Sequence, residues 1–213
     1  MEKMSAQRRK QSLTQREIAR AALQLIDEDG LDAFSMRRLG AHLGVDPMTV
    51  YRRFDDQEGL FDEVAVEMFR SVEVEALPWD APWPELLVAY GIALRDALLA
   101  HPKALPVYGT RPVRSQEAVE WAVRALLKMA EEGVPSTNAL QVALCVNEYV
   151  TGHAMAMSAD LTAAHRSRRP EPGSAGFNVL AAAAAKASPG EHFELGLRAL
   201  VDGLYQAMLH RSE

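Results

Sequence analysis

Residues 34 to 54, F-S-M-R-R-L-G-A-H-L-G-V-D-P-M-T-V-Y-R-R-F, read as two short helices joined by a tight turn. Ser35 is placed to N-cap the first helix, and Met36, Leu39 and Leu43 fall on one face at i, i+3 and i+7. Gly44 stands where the chain must turn. Asp46 then offers a second cap, and Pro47 at the first helical position lacks an N–H that would have no helical partner anyway, so the second helix should begin sharply at Pro47. Val50, Tyr51 and Phe54 are its apolar partners, which leaves Met48, Thr49, Arg52 and Arg53 on or near the outer face. The second helix of such a unit lies in the major groove of DNA with its N-terminal residues against base edges. An ordinary helical hairpin with a solvated basic face has the same pattern.

The preceding residues add a third helix. Thr14 and Glu17 form a T-x-x-E capping box, Ile18, Ala22, Leu25 and Ile26 form an apolar stripe, and Gly30 stands where a glycine ends a helix, so a helix is expected from about 15 to 29. Three helices ending in L-G-V-D-P-M-T-V-Y-R-R-F, with a further amphipathic helix behind them, resemble the N-terminal domain of the TetR family of transcriptional repressors. A second stretch, L-L-A-H-P-K-A-L-P-V-Y-G-T-R-P from Leu98 to Pro112, with E-E-G at 131 to 133 and F-E-L-G-L-R-A-L-V-D-G-L from Phe193, resembles the regulatory domain of the tetracycline-repressor branch. The resemblance implies a helix-turn-helix DNA-binding domain with a flexible N-terminal arm over residues 1–55 and a ligand-binding and dimerisation domain over 56–213. It implies a ligand-responsive repressor that binds a palindromic double-stranded DNA operator as a homodimer and is released by a small organic effector; a DNA-binding regulator without a small-molecule effector is the alternative reading.

Charge is distributed to match. The formal net charge is -6, yet through residue 54 there are ten Lys and Arg against seven Asp and Glu, and from 55 onward thirteen against twenty-two. Positive charge is therefore concentrated where phosphates would lie, and the acidic remainder reads as solvation. Cys145 has no second cysteine to pair with and sits in an apolar helical stretch, which points to a reducing, cytoplasmic setting. The first eleven residues are charged with no apolar run after them, and nothing approaches the ~18 apolar residues of a membrane span, so neither export nor membrane insertion is expected.

Beyond Phe54, Asp55 and Asp56 can cap a connecting helix whose stripe is Leu60, Val64, Met68 and Val72, and which is expected over 56 to 77, ahead of Pro78. P-W-D-A-P-W-P, 78 to 84, reads as a rigid turn. Further helices are expected over about 85–100, 115–132, 137–159 and 191–210, divided by Pro102, Pro106, Pro112 and Pro135. No alternating apolar and polar run occurs, so the fold class is all-α. Residues 162 to 189 read as a loop containing Arg166, Arg168 and Arg169, although A-A-A-A-A-K-A within it favours helix.

An enzyme is not expected. G-x-S-x-G, G-x-G-x-x-G and Walker sequences are absent, and the six histidines, at 42, 101, 153, 165, 192 and 210, contain no i, i+3 or i, i+4 pair, so no catalytic residue, cofactor or metal ligand is assigned. A site assembled from distant helices would escape such a scan.

For DNA contact the resemblance implies that Arg37 reaches a base, as arginine does bidentately at guanine O6 and N7, with Arg38 its neighbour. It places Pro47, Met48 and Thr49 against bases and the Tyr51 hydroxyl on phosphate with the ring packed inward; a core role alone is the other reading of Tyr51. Gln57 stands where tetracycline repressors carry a phosphate-binding lysine. Arg8, Arg9 and Lys10 read as an arm for a flanking minor groove or as a solvated tail.

For assembly, the last helix carries Phe193, Leu197, Leu200, Leu204 and Met208 on one stripe beside Gly196, Gly203 and Ala207, and the helix from 137 offers Ala143, Thr151, Ala154 and Ser158. These make either a four-helix bundle with a second chain, as the resemblance implies, or intramolecular core. For the effector it implies a pocket at Tyr90, Leu94, Val107, Tyr108 and Thr110, with Trp121, Asn147 and His153 nearby, each also readable as core. The branch's metal-dependent tetracycline site has a histidine two residues before the glycine of G-T-R-P and a partner-chain glutamate four residues after a conserved glycine. Val107 and Ala156 occupy those places here, so magnesium-tetracycline is not the expected ligand and an apolar or aromatic organic molecule is.

Overall fold

The computed structural model describes residues 13–111, 115–162, 175–184 and 190–209, and every regular element among them is helical. Helix α1 (Gln15–Asp29) starts at the expected box: the Thr14 hydroxyl accepts the Glu17 N–H at 3.2 Å and the Glu17 carboxylate accepts the Thr14 N–H at 2.8 Å. A 3₁₀ turn (Leu31–Ala33) leads to α2 (Met36–Leu43), capped by the Ser35 hydroxyl, which accepts the Arg38 N–H at 3.2 Å. Gly44 ends α2 in the left-handed region at φ 66°, a conformation that is strained for a side-chain-bearing residue. Helix α3 (Pro47–Tyr51) starts at proline as expected, with Asp46 accepting the Met48 N–H at 2.8 Å.

Helix α4 (Gln57–Arg70) is capped by Asp56, but it ends seven residues before the expected 77. A stripe repeating every four residues drifts about 40° per step on a helix, so three steps carry Val72 about 120° from Leu60. Leu60, Val64, Met68 and Val72 are all buried, and the chain leaves the helix after Arg70, turns through Ser71 and enters a 3₁₀ turn (Val74–Ala76). The carbonyl of Val74 accepts the Trp79 indole N–H at 2.9 Å, which fixes the turn before the next helix.

Helices α5 (Trp83–Leu99), α6 (Leu105–Gly109), α7 (Gln116–Glu131), α8 (Ser136–Thr162), α9 (Ala175–Ala184) and α10 (Glu191–Leu209) follow. The one-turn α6 lies where the sequence shows chiefly proline punctuation. Pro106 stands at its second position, where a missing N–H costs nothing. Helix α9 falls in the stretch read as a loop and takes in Ala181–Ala184 of the alanine run, while Arg166, Arg168 and Arg169 lie outside the described residues, as do Arg8, Arg9 and Lys10.

Helix α5 forms the centre of the larger bundle, packed against α8 and α10, and α6 is held between α4 and α8; α1 lies along α4. One apolar core, from Ile18 and Leu39 through Leu60 and Leu94 to Val150 and Leu197, runs through both halves. This corrects the proposed assembly stripe: Phe193, Leu197 and Met208 are buried within the chain, Leu200 and Leu204 are half-buried, and Ala154 and Ser158 of α8 are also buried. The open face of α10 is a different one, with Leu195 73% exposed beside exposed Ala199 and Gly203.

Candidate functional site

The crossing of α2 and α3 depends on Gly40. A Cβ there would stand 3.1 Å from both the Cα and the nitrogen of Pro47 and 3.2 Å from the carbonyl oxygen of Val45, all backbone atoms. Buried Val50 and Phe54 anchor α3 from below, and the Gln15 side-chain amide donates to the carbonyl of Arg53 at 2.7 Å, tying the end of the unit to α1. The opposite side is open: Met48 is 59% exposed, Arg52 and Arg53 are exposed, and Pro47 and Thr49 are half-buried. Arg37 on α2 is exposed and forms no ion pair with any described residue.

Two residues of this set differ from expectation. Tyr51 is 43% exposed, so its ring does not pack inward; on a helix of one turn, adjacent residues point about 100° apart, and the core side is taken by Val50. Arg38 is occupied inside the fold, paired with Asp29 and donating to the carbonyl of Ala33 at 2.7 Å, which joins α2 to the end of α1. Its guanidinium is held in this intramolecular pair at the surface.

The reading unit is bonded to the larger bundle at two places. At the end of α1, Asp27 meets His101 Nδ1 at 2.7 Å, and Lys103 Nζ donates to the carbonyls of Asp27 and Glu28, each at 2.8 Å. On α4 the nearly buried carboxylate of Glu67 accepts from Arg16 (2.9 Å), Arg20 (3.3 Å) and Arg70 (2.6 Å), and Arg70 reaches Glu117 of α7 at 3.0 Å. A carboxylate so far out of water persists only with such partners, so the network fixes α1, α4 and α7 in register.

Within the bundle a cavity of about 490 Å³ opens between α4, α5, α6, α7 and α8. Its aromatic wall is Tyr90 stacked on Trp121, with centroids 4.0 Å apart and planes at 25°, and Phe69 meeting Trp121 nearly edge-on at 6.4 Å. The Tyr90 hydroxyl donates to Asn147 Oδ1 at 3.3 Å. Burial pushes the Tyr108 phenol up to about 12 and that of Tyr90 still higher, so both stay neutral hydroxyls. Arg111 lines the opening and ion-pairs with Glu58 and, at 3.2 Å, with Asp62 of α4, its guanidinium 5.3 Å from the Phe61 ring.

Of the residues expected here from sequence, Tyr90, Tyr108, Trp121 and Asn147 line the cavity. Leu94 and Val107 do not; both are fully buried in core packing. Thr110 turns its hydroxyl to the carbonyl of Pro106 at 2.8 Å, closing the end of α6. His153 does not line the cavity; its ring lies 4.6 Å from that of Phe193 and 5.2 Å from that of His192, and burial, with His192 and Arg95, lowers its pKa. Phe69, Arg111, Leu140, Leu144, Glu148 and Thr151 were missed. The sequence does carry a signal for the last four: positions 140, 144, 148 and 151 of α8 form a second stripe beside the buried Val142, Val146 and Val150.

The places that would bind a metal do not fit one. Val107 is buried and Ala156 is exposed, and neither side chain has a donor atom. Among the described residues, no three or more His, Cys, Asp or Glu gather where they would hold a metal ion, and no helix is long and apolar enough to cross a membrane. A larger hollow of about 580 Å³ lies outside α7 along Val119, Val123 and Leu127; it is an open surface groove that shares no lining residue with the cavity.

Comparison with known proteins agrees with both halves of this description. Residues 18–64 match the model of bacterial regulatory proteins of the tetR family, and residues 77–208 match the tetracyclin repressor-like C-terminal domain. The chain is 30% identical over 197 residues to the class A tetracycline repressor protein from transposon 1721 of Escherichia coli, covering 90% of each protein. A possible TetR family transcriptional regulator from Streptomyces coelicolor A3(2) superposes with a TM-score of 0.77 at 26% identity, over 91% of this chain and 99% of that one. ActR of Streptomyces coelicolor in complex with (S)-DNPA superposes with a TM-score of 0.72 at 25% identity, over 92% and 98%.

Proposed function

The chain belongs to the tetR family of bacterial regulatory proteins, which are transcriptional regulators and not enzymes, and from that premise we propose that it is a cytoplasmic repressor whose operator binding is relieved by an aromatic organic molecule in the α4–α8 cavity. In this reading residues 1–55 read DNA and residues 56–213 sense the ligand and pair with a second copy. Arg37, Met48 and Thr49 meet base edges, Pro47 packs at the base of the helix beside them, and Tyr51, Arg52 and Arg53 meet phosphate, while Arg38 holds α2 in place.

The observation that carries the proposal is the placement of Arg111. It stands in the cavity wall and is bonded to Glu58 and Asp62 on the first two turns of α4, the helix that follows α3 directly. A ligand that moves Arg111 therefore acts on the helix that carries the reading unit. Release follows if the ligand prefers a state in which the two recognition helices of a dimer no longer match half-sites about one helical turn apart.

Effector binding without metal is part of the proposal, because Val107 and Ala156 supply no ligand atoms. Selection of operator duplexes from a randomised pool, followed by anisotropy with and without candidate aromatic compounds, tests the whole reading: a palindromic consensus with ligand-dependent release supports it, and the absence of any selected sequence refutes it. Calorimetry against tetracycline tests the metal argument, which predicts no gain in affinity on adding magnesium; metal-dependent micromolar binding would overturn it.

A further inference from the structure

A cleft of about 270 Å³ lies where α1 meets α4, with Arg16, Arg20 and Gln24 of α1 on one side, Glu67 and Arg70 of α4 on the other, and His101 at its end. Arg16, Arg20 and Gln24 recur every four residues and so share one side of their helix. Glu67 is the only acid among the lining residues, against three arginines. Arg70 has further carboxylates outside the cleft, Glu117 at 3.0 Å and Glu63 at 3.9 Å, which leaves Arg16 and Arg20 to share Glu67. Each gives that carboxylate a single nitrogen, Nε of Arg16 at 2.9 Å and Nη2 of Arg20 at 3.3 Å, and their other guanidinium N–H groups bond no described residue. The two side chains are 56% and 58% exposed, so those donors are accessible, while the carboxylate beneath them is nearly buried. Two guanidinium forks with one surplus positive charge match an oxyanion, because several N–H groups can share its oxygens.

We propose that this cleft binds a phosphoryl group, free as inorganic phosphate or carried by a small phosphomonoester, through the unused N–H groups of Arg16 and Arg20, with the Gln24 amide adding neutral donors beside them. The cleft shares no lining residue with the aromatic cavity, so the assignment does not depend on the effector reading. It places an anion at the joint between the DNA-reading unit and the bundle, on the same network that ties α1 through α4 to α7.

The test is calorimetry of the full-length protein against inorganic phosphate and methyl phosphate, with ionic strength held constant by sodium chloride. One saturable site per chain is expected for at least one of the two anions, and the tighter of them identifies the source of the phosphoryl group. Arg20→Gln should weaken that binding roughly fivefold. The variant strands no buried charge, since Arg16 at 2.9 Å and Arg70 at 2.6 Å still hold Glu67, and its thermal melt without phosphate should match that of the unmodified protein. Phosphorus NMR gives an independent readout: the phosphate resonance should broaden or shift with the unmodified protein and much less with Arg20→Gln. Absence of saturable binding at constant ionic strength, or affinity unchanged in both Arg16→Gln and Arg20→Gln, overturns the assignment. So does a phosphate-free operator titration in which Arg20→Gln lowers the salt dependence by about one ion per chain, because the cleft would then hold the DNA backbone.

Discussion

Arg111 and Asp62 form an ion pair at 3.2 Å that joins the wall of the effector cavity to the helix leaving the DNA-reading unit. The two carboxylates that hold Arg111 are largely solvated, Glu58 at 72% and Asp62 at 68% side-chain exposure. Arg111→Leu therefore leaves no buried charge behind and should cost only about 1 kcal/mol in urea unfolding. Operator affinity should be retained within about threefold, whereas the coupling between effector and operator, commonly 5- to 150-fold in such systems, should fall toward one. Full ligand-induced release by Arg111→Leu would place the coupling elsewhere.

Gly40 is the tightest point of the reading unit. Because a Cβ there meets the backbone of Pro47 and Val45, which no side-chain rotation relieves, Gly40→Ala should displace α3 and cost roughly 1–3 kcal/mol of stability. Operator affinity should fall by more than tenfold even where the protein remains folded. Gly44→Ala strains φ without a steric clash and should cost about 1 kcal/mol. Thermal unfolding of the two variants beside operator titrations checks the order; a Gly40→Ala protein with unchanged operator binding would contradict this account of the crossing.

What the sequence makes legible here is local chemistry. Thr14 with Glu17, Ser35, and Asp46 with Pro47 announce their helices because each cap involves residues at most three apart. Misreadings arise where a position satisfies two environments. Tyr51 has the apolar character of a core residue, but a one-turn helix has room for Val50 alone on that side. Val107 falls within the Leu98 to Pro112 stretch and Leu94 just before it, yet both turn into the core, and Thr110 spends its hydroxyl on α6. The stripe from Phe193 to Met208 was equally consistent with a partner and with the chain's own α5 and α8, since hydrophobic periodicity reports burial and not what does the burying. The cavity draws on α4, α5, α6, α7 and α8 at once, and no spacing within one helix encodes that meeting.

Dimerisation now has a sharper test. Leu197 is fully buried in the chain, so Leu197→Arg should unfold the bundle and says nothing about assembly. Leu195 lies on the open face of α10 beside Ala199 and Gly203, so Leu195→Arg should leave the thermal melt of the subunit fold largely intact, give monomers by sedimentation, and lower operator affinity by orders of magnitude. A folded monomer for the unmodified protein, or an undisturbed dimer for Leu195→Arg, contradicts the assignment of that face.

The central claim is that α2 and α3 read operator DNA, and anisotropy on a selected palindromic duplex, repeated across salt concentrations and with Arg37→Ala, tests it most directly. Arg37 is exposed and free of ion pairs with described residues, whereas Arg38 is paired with Asp29, so Arg37→Ala should cost ~1–3 kcal/mol and relax selectivity at one position of each half-site. If a dimer meets ~6 to 10 phosphates, affinity should fall by about 10³ to 10⁵ between 50 and 200 mM salt. Duplex binding that is indifferent to salt, with Arg37→Ala weakening every sequence equally or not at all, would contradict the account.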